Sequence, residues 1–215
     1  MLRHGFRARG YPPQRTCPTP GMAFAAPSSS RTHWKRSASL PTVLDQMRMN
    51  VATLIEVDAL VRRLEVEGFA RVCVTGYSMG GAMAALAGAL VRRRIAVVPM
   101  AATLTPATIY TEGLLARSVA FDALGATVEE GRRRLADLFA TADMSRFPPP
   151  LVREASILVG ARVDGFVAPE GTARLARHWS AELRWVRGGH ASALFTARRA
   201  MRRAVLDALA RVPGP

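Results

Sequence analysis

The sequence predicts an α/β fold, a three-layer sandwich with helices on both faces of a mostly parallel sheet, and three observations predict it. Short apolar runs alternate with helical patterns from about residue 44 to the end, the order that builds a parallel sheet covered on both sides. Most of those runs are apolar throughout rather than at every second position, as strands buried on both faces require. With 215 residues, 49% hydrophobic and 21% charged, the chain is sized for one domain around one core.

The elements follow in order. Residues 1–43 are expected to be a basic tail or an organelle transit segment, directed to mitochondrion or plastid, ahead of a folded domain over 44–215. They contain Ser28-Ser29-Ser30, several prolines and no sustained apolar periodicity, and residues 1–44 hold seven of the 30 basic residues and none of the 16 acidic ones. From Leu44 to Glu67, apolar Leu44, Met47, Val51, Leu54, Ile55, Val61 and Leu64 recur at helical spacing, and Gly68 is placed to stop that helix. Ala70 to Gly76 is a first strand, Met79 to about Val91 an Ala-rich helix, and Ile95 to Met100 a second strand. Residues 101–150 are less regular, with apolar clusters at Ile109 to Leu115 and Leu135 to Phe139, expected as helical pieces and a lid. Ala155 to Ala161 is a third strand, Thr172 to Trp179 a helix and Glu182 to Val186 a fourth strand. A final helix from Ser192 is expected to set Leu194, Phe195, Met201, Val205, Ala208 and Leu209 on one side, with Arg198, Arg199, Arg202 and Arg203 facing water.

The segment Val72 to Val91 is free of charge over twenty residues, long enough for a membrane span, and contains the small-residue spacing Gly76-x-x-x-Gly80. A lipid-spanning helix has no need of Thr75, Gly76 and two more glycines at its middle. A strand turning sharply into a helix needs small residues there, and Gly76-Tyr77-Ser78-Met79-Gly80 is the G-x-S-x-G turn that presents a nucleophilic serine. Gly76 and Gly80 are expected to leave room for a strained Ser78, and Gly81 to let the helix approach the sheet.

A serine hydroxyl needs a base to take its proton, and the base needs an acid to orient it. Ser78, then Asp164 after the third strand, then His190 after the fourth, follow the order nucleophile, acid, base, on loops that converge at one edge of a parallel sheet. Asp122 and Asp143 are weaker candidates for the acid. The backbone N–H of Met79 is expected to hold the oxyanion together with a second donor from an earlier loop. His4, His33, His178 and His190 lack metal-ligand spacing, so neither metal nor cofactor is expected, and Cys17 and Cys73 make no disulfide framework.

The net charge of +14 comes from 29 Arg and one Lys against 16 acids. No zinc-finger spacing, RNA-binding aromatic motif or P-loop accompanies it, so nucleic acid is not the expected partner. Arg198, Arg199, Arg202 and Arg203, or Arg132 to Arg134, could instead touch an anionic membrane surface, although a solvated helix face is the plainer reading of such runs.

Gly76-Tyr77-Ser78-Met79-Gly80-Gly81, the Asp164 segment ending in Ala168-Pro169, and Gly188-Gly189-His190-Ala191-Ser192-Ala193 before a basic last helix together resemble the alpha/beta hydrolase domain-containing protein 18 family. The resemblance runs from about Met47 to the end and includes Val98-Pro99 and Thr108 with Glu112-Gly113-Leu114. It implies an alpha/beta-hydrolase-like sandwich, with Ser78 as nucleophile, Asp164 as acid and His190 as base, and leaves the substrate open; the expected function is a serine hydrolase acting on a small-molecule or lipid acyl ester. Members of that family are longer ahead of the nucleophile, so the sheet is expected to be incomplete at its N-terminal half, with Arg31 to Arg36 a remnant of the oxyanion-loop region. A non-catalytic or truncated homologue, binding a membrane surface through its arginines, is the alternative expectation.

Overall fold

The computed structural model describes residues 43–214, and the predicted basic tail lies outside the described residues. Helix α1 spans Val43–Val66, and Gly68 at φ +87° ends it in the left-handed conformation that glycine adopts without cost. Four strands follow, β1 (Cys73–Tyr77), β2 (Ala96–Met100), β3 (Ile157–Ala161) and β4 (Glu182–Val186). They pair in the order β1-β2-β3-β4, all parallel. The register runs from Cys73 opposite Ala96 to Tyr77 opposite Met100, and from Ile157 opposite Glu182 to Ala161 opposite Val186. Parallel pairing brings every strand's C-terminal end to one edge, where the loops carrying Ser78, Asp164 and His190 emerge.

Helix α2 (Met79–Leu90) and, after two short stretches described below, α5 (Pro169–Trp179) cross between strands. On one face of the sheet Val97 and Leu158 pack with Ala85, Leu175 and Trp179 from these helices, and Leu54 and Val57 of α1 close over the same cluster. On the other face Val98, Ile157 and Val159 meet Met201, Ala204 and Ala208 of the last helix. Helix, sheet and helix make the three layers predicted from the apolar runs. Residues 101–150 supply α3 (Ala107–Thr111), α4 (Val128–Ala140) and short 3-10 turns. Thr127 accepts the Glu130 N–H while Glu130 accepts that of Ala126, which fixes the start of α4. The ring of Phe139 in α4 stacks on Tyr110 of α3, centroids 4.7 Å apart.

The C-terminal helical pattern needs correction. It comprises two helices, α6 (His190–Thr196) and α7 (Arg198–Arg211), broken at Ala197. A single helix would have carried Leu194 inward in phase with Met201, seven residues on, but Phe195 onto the face of Arg198, Arg199 and Arg202. The break frees α6 from that phase, and Leu194 is 40% and Phe195 64% exposed, whereas Met201, Ala204 and Ala208 are buried. The uncharged stretch Val72–Val91 divides between β1 and α2, and among the described residues no helix is long and apolar enough to cross a membrane.

Cys73 opens β1 and packs on the α7 face, where burial pushes its thiol up to about 12. Near pH 8 only a very small fraction of molecules carries the thiolate. In a Cys17→Ser background the remaining thiol should therefore be nearly inert to Ellman's reagent at pH 8 and react at once in denaturant. Fast labelling of the native chain would contradict the half-buried position.

Candidate active site

Ser78 stands between β1 and α2 with φ 57° and ψ −119°, a conformation an L-residue holds only under constraint. Its backbone supplies part of that constraint. The Ser78 N–H donates to Met100 O at 2.9 Å, and Ser78 O accepts the Ala82 N–H at 2.9 Å, so the turn is pinned to β2 on one side and to α2 on the other. The side chain takes no part in capping the helix and is turned toward His190.

Glycines make the turn possible, though not the pair expected from the motif. A Cβ on Gly76 would lie 2.3 Å from Gly80 O, and one on Gly81 only 2.2 Å from Met100 O. Gly81 thus lets the start of α2 touch the sheet. A Cβ on Gly80 would meet nothing within 4 Å, so the second glycine of G-x-S-x-G is not required by space here, contrary to expectation.

Asp164 leaves the end of β3 in a turn that it caps itself: Oδ1 accepts the N–H groups of Phe166 and Val167, both at 2.9 Å. The carboxylate is 1% exposed, and its other oxygen, Oδ2, lies 2.7 Å from Nδ1 of His190. His190 begins α6, reached through Gly188 at φ +99°, and Ser192 Oγ accepts the Gly189 N–H at 2.9 Å to hold that entry. Nε2 of His190 lies 2.8 Å from Ser78 Oγ. The structure therefore brings Ser78, His190 and Asp164 into one hydrogen-bonded line, with the imidazole 16% exposed between a hydroxyl and a buried carboxylate. Such a line can move a proton from the hydroxyl to the ring while the carboxylate keeps the ring's tautomer and orientation.

Met79 opens α2, at the positive end of its dipole, and lines the same cavity as Ser78. The weaker acid candidates lie elsewhere: Asp143 bonds Thr105 and the Ser145 turn, and Asp122 is exposed in the turn Phe121–Ala123. Among the described residues no group of three or more His, Cys, Asp or Glu side chains could hold a metal ion.

A family model described as alpha/beta hydrolase domain containing 18 matches residues 29–135 and 125–211. The chain belongs to that family. Among solved structures it is similar to an esterase of Pyrococcus furiosus, at 16% identity and TM-score 0.53, over 74% of this chain and 62% of that one. It thus spans less than two thirds of the esterase's length. A hydrolase from Pseudomonas aeruginosa (19%, TM-score 0.42, 73% and 71%) and an esterase of Thermogutta terrifontis (13%, 0.42, 73% and 71%) are more distant in fold. At these identities the likeness concerns the alpha/beta-hydrolase fold alone.

In this alpha/beta hydrolase domain containing 18 chain, two side chains that the motif reading passed over frame the histidine. The His190 ring sits between Tyr77, centroids 5.3 Å apart, and Phe166, 5.1 Å apart, and the Tyr77 hydroxyl donates to His190 O at 2.5 Å. Burial, with the nearby Asp164 charge, raises the Tyr77 phenol, which keeps it a neutral donor. Tyr77 occupies the variable position of G-x-S-x-G, and its contact spans 113 residues of sequence, so no local pattern announces it. The cavity beside Ser78 has a volume of about 250 Å³, and its walls draw on Met83 and Leu86 of α2, Ile109 of α3, Phe139 of α4, and Leu115 and Met144 from the turns between. Residues 101–150 thus furnish much of its lining.

Space predicts the outcome at the three glycines. Gly81→Ala and Gly76→Ala should lower stability by about 1–3 kcal/mol or more, or prevent folding, because backbone must move. Gly80→Ala should melt within a few degrees of wild type, read by calorimetry, and an equal loss at all three positions would refute this geometry.

Proposed function

We propose that the chain is a serine hydrolase that cleaves an acyl ester through an acyl-serine intermediate. The observation that carries this reading is the unbroken line from Asp164 through His190 to Ser78 at the wall of an apolar cavity. In the first half-reaction Nε2 of His190 takes the Ser78 proton as Oγ attacks the ester carbonyl carbon. The oxyanion that forms is stabilised at the start of α2, with the Met79 N–H as one donor. Collapse breaks the bond to the alcohol oxygen, which leaves with the proton from His190. Water then attacks the acyl-serine while His190 again takes a proton, releases the acid and restores Ser78. Asp164 stays in place throughout, bonded to Nδ1 and to two backbone N–H groups.

The cavity supports an apolar acyl group. Among the described residues no charged side chain lines it, and 250 Å³ is about eight water volumes at ~30 Å³ each, room for a short to medium chain or the end of a longer one, including a lipid acyl chain. The stacked Tyr110 and Phe139 hold α3 and α4 together as a lid over that space.

A second reading, a non-catalytic homologue, draws on β1. Among the described residues β1 pairs with β2 only, so the strand bearing Ser78 has one open side. One experiment separates the two. A fluorophosphonate probe should label the wild type, spare Ser78→Ala and His190→Ala, and label Asp164→Asn roughly 10³ to 10⁴ times more slowly. Absence of labelling in wild-type protein with a cooperative melt would favour the non-catalytic homologue.

Tyr77→Phe removes one hydrogen bond to the His190 carbonyl, which keeps its place in the ladder of α6. It should cost about 1 kcal/mol in stability and slow labelling by a factor of about ten, through displacement of the imidazole. Unchanged labelling alongside that stability loss would confine Tyr77 to a structural role.

A further inference from the structure

The break at Ala197 leaves a surface that neither the core nor the reaction uses. Val163, on the Asp164 loop, is 72% exposed, and its N–H donates to Gly188 O, which joins that loop to the approach to His190. Gly189 is bonded to Ser192 in the first turn of α6, and Ser192 shares a helix face with Phe195, three residues on. Phe195 is 64% exposed with the Arg198 guanidinium over its ring at 6.0 Å, and Leu194 stands next to it. These links join the exposed Val163, beside Asp164, through the loop that carries His190 to Phe195 and on to Arg198 and Arg199 in one band. Large apolar side chains standing singly on a surface are ordinary, but three in one band with arginines at both ends are not.

The charge along this band has one sign. From Arg187 to Arg203 there is no acidic residue, and the acid on the Val163 loop, Asp164, is buried against His190. Arg162, Arg198, Arg199 and Arg202 have no carboxylate partner among the described residues, whereas Arg203 is paired with Asp207. Exposed apolar tips flanked by unpaired guanidinium groups match the two layers of a lipid surface, with the tips entering the boundary of the acyl region and each guanidinium meeting phosphate. A protein partner with a hydrophobic groove would be served by the apolar tips without so uniform a charge.

We propose that the Val163–Leu194–Phe195 band, with Arg162, Arg198 and Arg199, docks the chain on an anionic bilayer. Docking there would set the mouth of the Ser78 cavity against the membrane. That last consequence rests on the serine-hydrolase reading, while the docking itself does not.

Sedimentation of the full chain with phosphatidylcholine vesicles, with and without phosphatidylglycerol, tests the proposal independently of any activity. The chain should bind the anionic vesicles, bind the neutral ones far less, and be released as salt approaches about 1 M, where the screening length is about 3 Å. Phe195→Ser should weaken binding roughly tenfold, and Arg198→Gln with Arg199→Gln roughly thirtyfold. Both variants change exposed positions, and melting curves matching wild type would establish that they are folded. Arg71→Gln with Arg94→Gln removes equal charge ahead of β1 and β2, at the opposite edge of the sheet, and should matter little. Equal losses from the two arginine pairs would reduce the effect to net charge and overturn the docking surface. An unaffected Phe195→Ser, or equal binding to neutral vesicles, would overturn it as well. Failure of wild type to sediment would leave the band as a protein-facing surface instead.

Discussion

Everything at the site depends on one backbone contact, the approach of α2 to the end of β2. Gly81 lies where a Cβ would come within 2.2 Å of Met100 O, and the Ser78 N–H donates to that same carbonyl. The two facts are one constraint seen from either side. Because α2 starts against the sheet, the chain between β1 and α2 has a single residue in which to reverse, and that residue is forced to φ 57°. A strained residue persists only where its surroundings over-determine it. Here parallel pairing of β1 with β2 fixes one end of the turn, and the first turn of α2 fixes the other. The hydroxyl is thereby held off both elements and available to His190.

The rest of the line is held by devices of a different kind. Asp164 and His190 sit on loops, and each loop is closed by its own side chains: Asp164 on the amides of Phe166 and Val167, Ser192 on the amide of Gly189. Each loop is also tied to its neighbour through Val163 and Gly188. The sheet sets the separation of the loops, and these local bonds set the direction of each side chain. The outer strand β4 is secured to α7 by Arg184, bonded to both Glu182 and Asp207, and by Arg211, bonded to Glu182. The bond from Arg184, with that from Arg211, holds the Glu182 carboxyl below its usual range. Charged residues on an outer strand also discourage further pairing at that edge.

Much of this was legible in the sequence, for identifiable reasons. β2 and β3 are buried on both faces, so continuous apolar runs mark them, while β1 and β4 were marked by short β-branched or aromatic runs beside turn residues. Ser78, Asp164 and His190 were legible because a parallel sheet converts loop order into spatial convergence. The boundaries of α6 and α7 were not, since Ala197 carries no helix-breaking side chain and the apolar spacing continues across it. The cavity was equally hidden. Its walls come from helices and turns in residues 101–150, where short elements give periodicity too few turns in which to show.

Tyr77 shows what a motif conceals. β1 and β4 are the outer strands of the described sheet, yet they differ in kind: β1 is Cys-Val-Thr-Gly-Tyr, without charge, while β4 carries Glu182 and Arg184. β1 therefore draws its support from β2 and from the layers above and below. Tyr77 adds a third source by reaching from the end of β1 to the backbone of His190, beyond the last strand. One phenol thus joins the first loop of the sheet to the final one and packs its ring on the imidazole it helps to place. The hydroxyl of Ser78 and the ring of His190 are then referred to each other through adjacent residues of β1 as well as through the breadth of the sheet. A shift of β1 would carry both partners of the 2.8 Å contact together, so a strand paired on one side among the described residues can still present a well-defined site.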